Sequence, residues 1–135
     1  MSSDSSFSLT PRPDLGVLIA RWAEDAPTPQ LQRHYAALLA AAQQHGLWRW
    51  LLDVRRRDQL DPEFGWWSTH IFYPEVAHVA VPPFRIAVHC SPVRLAIYES
   101  DSVQQQYIRY GTSEERAYQL RLFIEEGPAM EWLLS

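Results

Sequence analysis

Four stretches of the chain are apolar enough to be strands. LGVLIARW (15–22), WRWLLDV (48–54) and residues 84–90 are nearly continuous hydrophobic runs, the pattern of strands covered on both faces, as in a parallel sheet. AYQLRLFI (117–124) alternates Tyr118, Leu120, Leu122 and Ile124 with Gln119, Arg121 and Phe123, which suits an edge or half-exposed strand.

Between these runs the apolar spacing turns helical. Thr28 reads as a cap with Pro29 in the first turn; Leu31, Tyr35, Leu38, Leu39 and Ala42 then share one face until Gly46 stops the helix. Asp61 and Pro62 give a second cap and first turn, followed by Phe64, Trp67 and Ile71 on one face up to Pro74. Residues 75–83 read as a connector. Residues 93–118 read mainly as helix, with Val103, Tyr107 and Tyr110 at helical spacing and Gly111 at the end, and GPAMEWLLS closes the chain as a short helix. The Ser- and Pro-rich residues 1–13 read as a flexible arm, and residues 14–135 as one domain. The expected fold class is therefore α/β: a single small domain with a largely parallel four-stranded sheet in β-α-β-α-β-α-β-α order.

Composition fits that picture and excludes several functions. A chain of 135 residues that is 47% hydrophobic and holds six Trp has the material for one core and no room for a second domain. A net charge of −4 disfavours a nucleic-acid partner, which would call for a basic face. A single cysteine cannot form an internal disulfide, the N-terminus lacks the pattern of a secretory signal, and no run is long enough for a membrane span, so the expected location is cytoplasmic. All twelve basic residues are Arg and there is no Asn, which excludes a Walker lysine, a Schiff-base lysine and an Asn oxyanion donor.

RWLLDVRRR (49–57) leaving the second strand, IAVHCSP (86–92) in the third, and LFIEEGPAMEWL (122–133) as last strand and helix resemble the STAS domain family. The similarity is to its SpoIIAA-like branch, whose members often stand alone as short bacterial proteins, and it spans residues 15–134. The resemblance implies a small domain that binds protein partners or ligands without an enzymatic cofactor. In the anti-sigma-factor antagonists of that family, a Ser or Thr near the start of the helix after the Asp-bearing strand is phosphorylated. Here Asp53 is followed by no hydroxyl residue before Ser68, so the resemblance carries over fold and binding character but no phosphorylation switch.

Four sets of residues could carry chemistry. His89, Cys90, Ser91 and Arg94 follow a strand, as in a cysteine phosphatase, but a phosphate loop needs Arg six positions after Cys; that position is Ala96, and Pro92 removes one of the amides such a loop requires. The five histidines show no i,i+4 pair and no HExxH arrangement, so no metal site is expected. No serine stands in a G-x-S-x-G elbow. The fourth set carries the most weight: Asp53, Arg55, Arg56 and Arg57 at a strand end, with Trp66 and Trp67 on the following helix, combine anion-gripping guanidiniums with apolar rings. In a parallel sheet this is the expected ligand-binding end of the strands. The reading is a non-enzymatic binding or regulatory domain for a protein partner or a small ligand, with no cofactor; exposed Trp and Tyr would also suit a homodimer. The alternatives are a thiol-dependent phosphatase or hydrolase using Cys90, and a carrier of a small apolar, lipid-like ligand.

Overall fold

The computed structural model describes residues 6–135. Five strands form one sheet in the order β1 (Phe7–Arg12), β2 (Val17–Trp22), β3 (Arg49–Asp53), β4 (Arg85–His89) and β5 (Gln119–Phe123). Strands β2 to β5 are parallel neighbours, and β1 pairs antiparallel with β2. The α/β class and mostly parallel sheet agree with the sequence, but the sheet has five strands where four were expected. The added strand lies within the residues read as a flexible arm. Phe7 and Leu9 alternate inward against the core, and Phe7 packs on Trp22 with ring centroids 4.8 Å apart. Pro11 is tolerated there because β1 is an edge strand.

In the parallel register, Leu18, Trp50, Ile86 and Leu120 are successive neighbours on one face, while Ile19, Leu51 and Ala87 line the other. Every crossover steps the same way across the sheet, and right-handed crossovers then place all intervening helices on one side. The first face is accordingly covered by α1 (Thr28–His45), α2 (Pro62–Trp67), a π-helical turn (Ser68–Phe72) and α3 (Tyr73–Val79). Helices α4 (Pro92–Ser100) and α5 (Ser102–Thr112) complete that layer. Among the described residues only α6 (Glu126–Leu134) crosses the second face, burying Ala129 and Leu133 against β2, β3 and β4. Trp50 lies fully buried in the larger core, its indole N–H donating to the Leu47 carbonyl at 2.9 Å.

Three local departures have simple causes. Pro27, not Thr28, precedes α1, and the Thr28 hydroxyl instead donates to Asp61, the residue that caps α2. The helix expected to stop at Pro74 runs on, because the π-helical turn resets the register and Pro74 falls in the first turn of α3, where its missing N–H does least harm. The Thr69 carbonyl behind it is satisfied from another element, by the Tyr118 hydroxyl at 2.8 Å. Residues 93–118 form two helices, since Asp101 breaks the run and caps α5 by accepting from the amides of Val103 and Gln104.

Candidate functional site

The turn after β3 sorts the arginine triplet. The Arg57 amide donates to the Val54 carbonyl at 3.0 Å, closing a tight turn that sends Arg55 back to the second face, leaves Arg56 exposed and folds Arg57 inward. Arg57 is only 2% exposed. Its guanidinium lies 5.8 Å from the ring centre of Trp22 and 5.5 Å from that of Phe64, and its Nε is 3.9 Å from Asp25. Nε and Nη1 are buried without a hydrogen-bond partner. Burial, and then the proximity of Arg94, push the Arg57 pKa down, yet a guanidinium stays charged in proteins. A buried charge normally needs close pairing to offset several kcal/mol of lost hydration. Ring faces and one carboxylate at 3.9 Å do not provide it.

The second arginine comes from the start of α4. Ser91 caps this helix by accepting from the Arg94 amide at 3.0 Å, and its hydroxyl donates to Asp58 at 3.1 Å. Arg94 is itself buried; its Nε donates to the Tyr98 hydroxyl at 2.8 Å, and its Nη1 donates to the main-chain carbonyl of Arg57.

Arg57 and Arg94 both line a cavity of about 60 Å³ near the carboxyl ends of β3, β4 and β5. Leu52 and Val88 form its floor on the sheet, and Tyr107 and Ile108 of α5 roof it. At roughly one water-sized probe sphere per 10–15 Å³, it has room for about four or five small groups. Gly65 permits this closure: a Cβ there would lie 2.8 Å from Cδ2 of Tyr107, so α2 and α5 meet only because the side chain is absent.

The remaining residues singled out from the sequence lie elsewhere. Asp53 is on the α6 face, bound by Arg55 at 2.9 and 2.8 Å and by Arg21 at 2.6 Å, while Arg21 also reaches Glu126 at 2.8 Å. Burial raises the Asp53 carboxyl, but hydrogen bonds from Arg55 and Arg21 outweigh it and hold the pKa at about 2. Two cations face two anions in this cluster, so it has no charge left over for a ligand. Trp66 is 47% exposed and stacks on His70. Trp67 packs against Tyr35, Phe64 and Phe72 in the core. Arg56 borders, together with Asp53 and Arg55, a separate hollow of about 270 Å³ beside Ser6, Phe7 and Arg21. Of the six, the cavity takes Arg57 alone.

Arg94 and Tyr98 also line the cavity, and sequence reasoning did not place them with Arg57. An Arg followed four positions later by Tyr, just after the Ser91-Pro92 cap, is the signal that pairs them on one helical face. Cys90 is fully buried in the core, and its thiol is pushed up by burial despite the nearby Arg94. His89 is 2% exposed; burial and then Arg55 push its pKa down, so it is neutral near pH 7. Among the described residues no group of three or more His, Cys, Asp and Glu side chains could hold a metal ion, and no helix is long and apolar enough to cross a membrane.

Comparison with family models, with curated proteins and with solved structures finds no significant match for this chain.

Proposed function

We propose that this chain is a non-enzymatic, STAS-like binding domain whose ligand is a small anion, held in the cavity between Arg57 and Arg94. One observation carries the reading: Arg57, only 2% exposed, lines the cavity, and Nε and Nη1 of its guanidinium have no hydrogen-bond partner. An anion there would supply the charge-assisted hydrogen bonds the fold withholds. The sequential parallel strands and a site near their carboxyl ends support the resemblance to STAS domains, in which binding rather than turnover is the expected task.

Thiol catalysis fits the arrangement poorly. A nucleophilic cysteine is partly exposed with a lowered pKa, whereas Cys90 is sealed in the core with a raised one. A lipid-like cargo fits poorly too, since 60 Å³ does not admit an acyl chain.

The test is a thermal-shift panel of small anions at constant ionic strength on wild type and Arg57→Met. An anion at one hundred times its Kd stabilises by about 2.7 kcal/mol, a rise in Tm on the order of 10 °C for a domain of this size. Arg57→Met should abolish that rise. Equal shifts in both proteins, or none in wild type, would refute the reading.

A further inference from the structure

We infer that the open edge of β5 takes up an extended segment of a partner protein that alternates apolar and acidic residues, added to the sheet as a further strand. This goes beyond the anion reading and does not depend on the Arg57 cavity.

Strand phase sets what the edge offers. The Gln119 amide donates to the Phe84 carbonyl at 2.9 Å, and the Phe123 carbonyl accepts from the Cys90 amide at 2.8 Å, so residues 119, 121 and 123 turn their main-chain groups toward β4. The N–H and C=O groups of Leu120 and Leu122 therefore point away from the sheet. β5 is the last strand in the order, and no described residue bonds these groups from that side. A groove of about 690 Å³ borders them, lined by Leu120, Arg121 and Leu122 of the strand, by Arg116 of the turn before it and by Trp132 of α6. The other edge of the sheet is blunted, because Pro11 takes an outward donor from β1.

The side chains beside the edge set the chemistry of the partner. Leu120 and Leu122 belong to the first face, while Arg121 stands on the α6 face beside Ala87. A strand added in register places an apolar side chain beside each leucine and, between them, one side chain beside Arg121. Arg121 is exposed; its guanidinium lies 5.4 Å from the ring centre of Trp132 and has no carboxylate partner among the described residues. Arg85 is committed, donating to the Gln119 side chain at 2.9 Å and to the Trp132 and Ser135 carbonyls at 3.1 and 2.6 Å. Around the groove Arg85, Arg116 and Arg121 meet only one lining carboxylate, that of Glu114. On a chain with a net charge of −4 this local excess of positive charge selects an acidic segment.

A second copy suits the edge less well. Two β5 strands paired antiparallel over their full length would set Arg121 directly beside Arg121, and like charges in that position repel.

The experiment titrates short blocked peptides that alternate Val with Glu, Val with Gln or Val with Lys into ¹⁵N-labelled full-length protein, with Arg121→Glu in parallel. The expected result in wild type is saturable shifts centred on residues 118–124, with the Glu peptide binding about fivefold tighter than the Gln peptide and the Lys peptide weakest. At a Glu-peptide concentration ten times Kd, hydrogen exchange at the Leu120 and Leu122 amides should slow by about tenfold. Arg121→Glu, an exposed change, should reverse the order of the peptides. Equal affinity for the Glu and Lys peptides in wild type would overturn the acidic partner, and an unchanged order in Arg121→Glu would overturn the role of Arg121. Shifts centred elsewhere, unslowed exchange at both leucine amides, or no saturable shift with any peptide would overturn the added strand. A dimer mass in light scattering, with exchange at those two amides slowing as protein concentration rises without peptide, would give the edge to a second copy and overturn the partner assignment.

Discussion

Arg94 donates from Nη1 to the main-chain carbonyl of Arg57, so the guanidinium of one site arginine props up the backbone that aims the other. The contact ties the first turn of α4 to the turn after β3, 37 positions apart. The same guanidinium bonds the buried Tyr98 hydroxyl. Truncating it leaves two acceptors without their charged donor. Arg94→Ala should cost about 2–4 kcal/mol in urea unfolding, while Tyr98→Phe, which removes one acceptor and strands no carbonyl, should cost about 1 kcal/mol. If Arg94→Ala is the milder of the two, the strut assignment is wrong.

Arg57 should behave in the opposite way. Its guanidinium is buried with incomplete pairing, and replacing buried ions by apolar groups of similar volume is often neutral or stabilising. Arg57→Met should therefore leave unfolding free energy unchanged or raise it by about 1–2 kcal/mol, while anion binding is lost. That pairing is the mark of a residue kept for its ligand. A loss above about 2 kcal/mol would instead make Arg57 a structural cation held by Trp22, Phe64 and Asp25.

The sequence made the frame legible because burial on both faces leaves unbroken apolar runs, as at 15–22, 48–54 and 84–90. It hid β1 because a Ser- and Pro-rich edge strand shows only Phe7 and Leu9 as inward residues, too few to stand out from a loose arm. The Asp53 to Trp67 segment drew notice as a dense set of charged and aromatic residues. Its dispersal over two faces and the core depended on one turn, Val54 to Arg57, whose geometry cannot be read from RRR. The spacing of Arg94 from Cys90 is visible in the sequence, whereas its bond to the Arg57 carbonyl is set by tertiary contact.

Gly65 offers a test of how the cavity roof is set. Added to it, a methyl group would meet Cδ2 of Tyr107 at 2.8 Å, forcing the ring or α5 outward. Gly65→Ala should cost about 1–3 kcal/mol through overpacking, despite the better helix propensity of Ala. In the Tyr107→Ala background the same change should be neutral or favourable, giving a coupling of at least about 1 kcal/mol in a double-mutant cycle. Additive effects would show that the two helices yield to each other freely.

Acid should probe the second face. Asp53 titrates at about 2 in the folded protein, below the usual carboxylate value of 3.8, because the guanidiniums of Arg55 and Arg21 outweigh its burial. A depressed carboxyl stabilises the fold fully above its unfolded pKa, and that stability is lost as pH falls through the folded one. The window therefore opens near pH 5 and closes near pH 2. The shift corresponds to an upper figure of about 2 kcal/mol, reduced in solution because Arg21 and Arg55 are 38% and 50% exposed and their attraction is screened. Unfolding free energies of wild type and Asp53→Asn, measured at intervals from pH 6 to 2, should differ most at pH 6 and converge by about 1–2 kcal/mol toward pH 2. The convergence should shrink at 1 M salt to the extent that the exposed guanidiniums are screened. Parallel pH profiles for the two proteins would mean that Asp53 titrates alike folded and unfolded, and that the ion cluster at the end of β3 contributes nothing to holding α6 on the sheet.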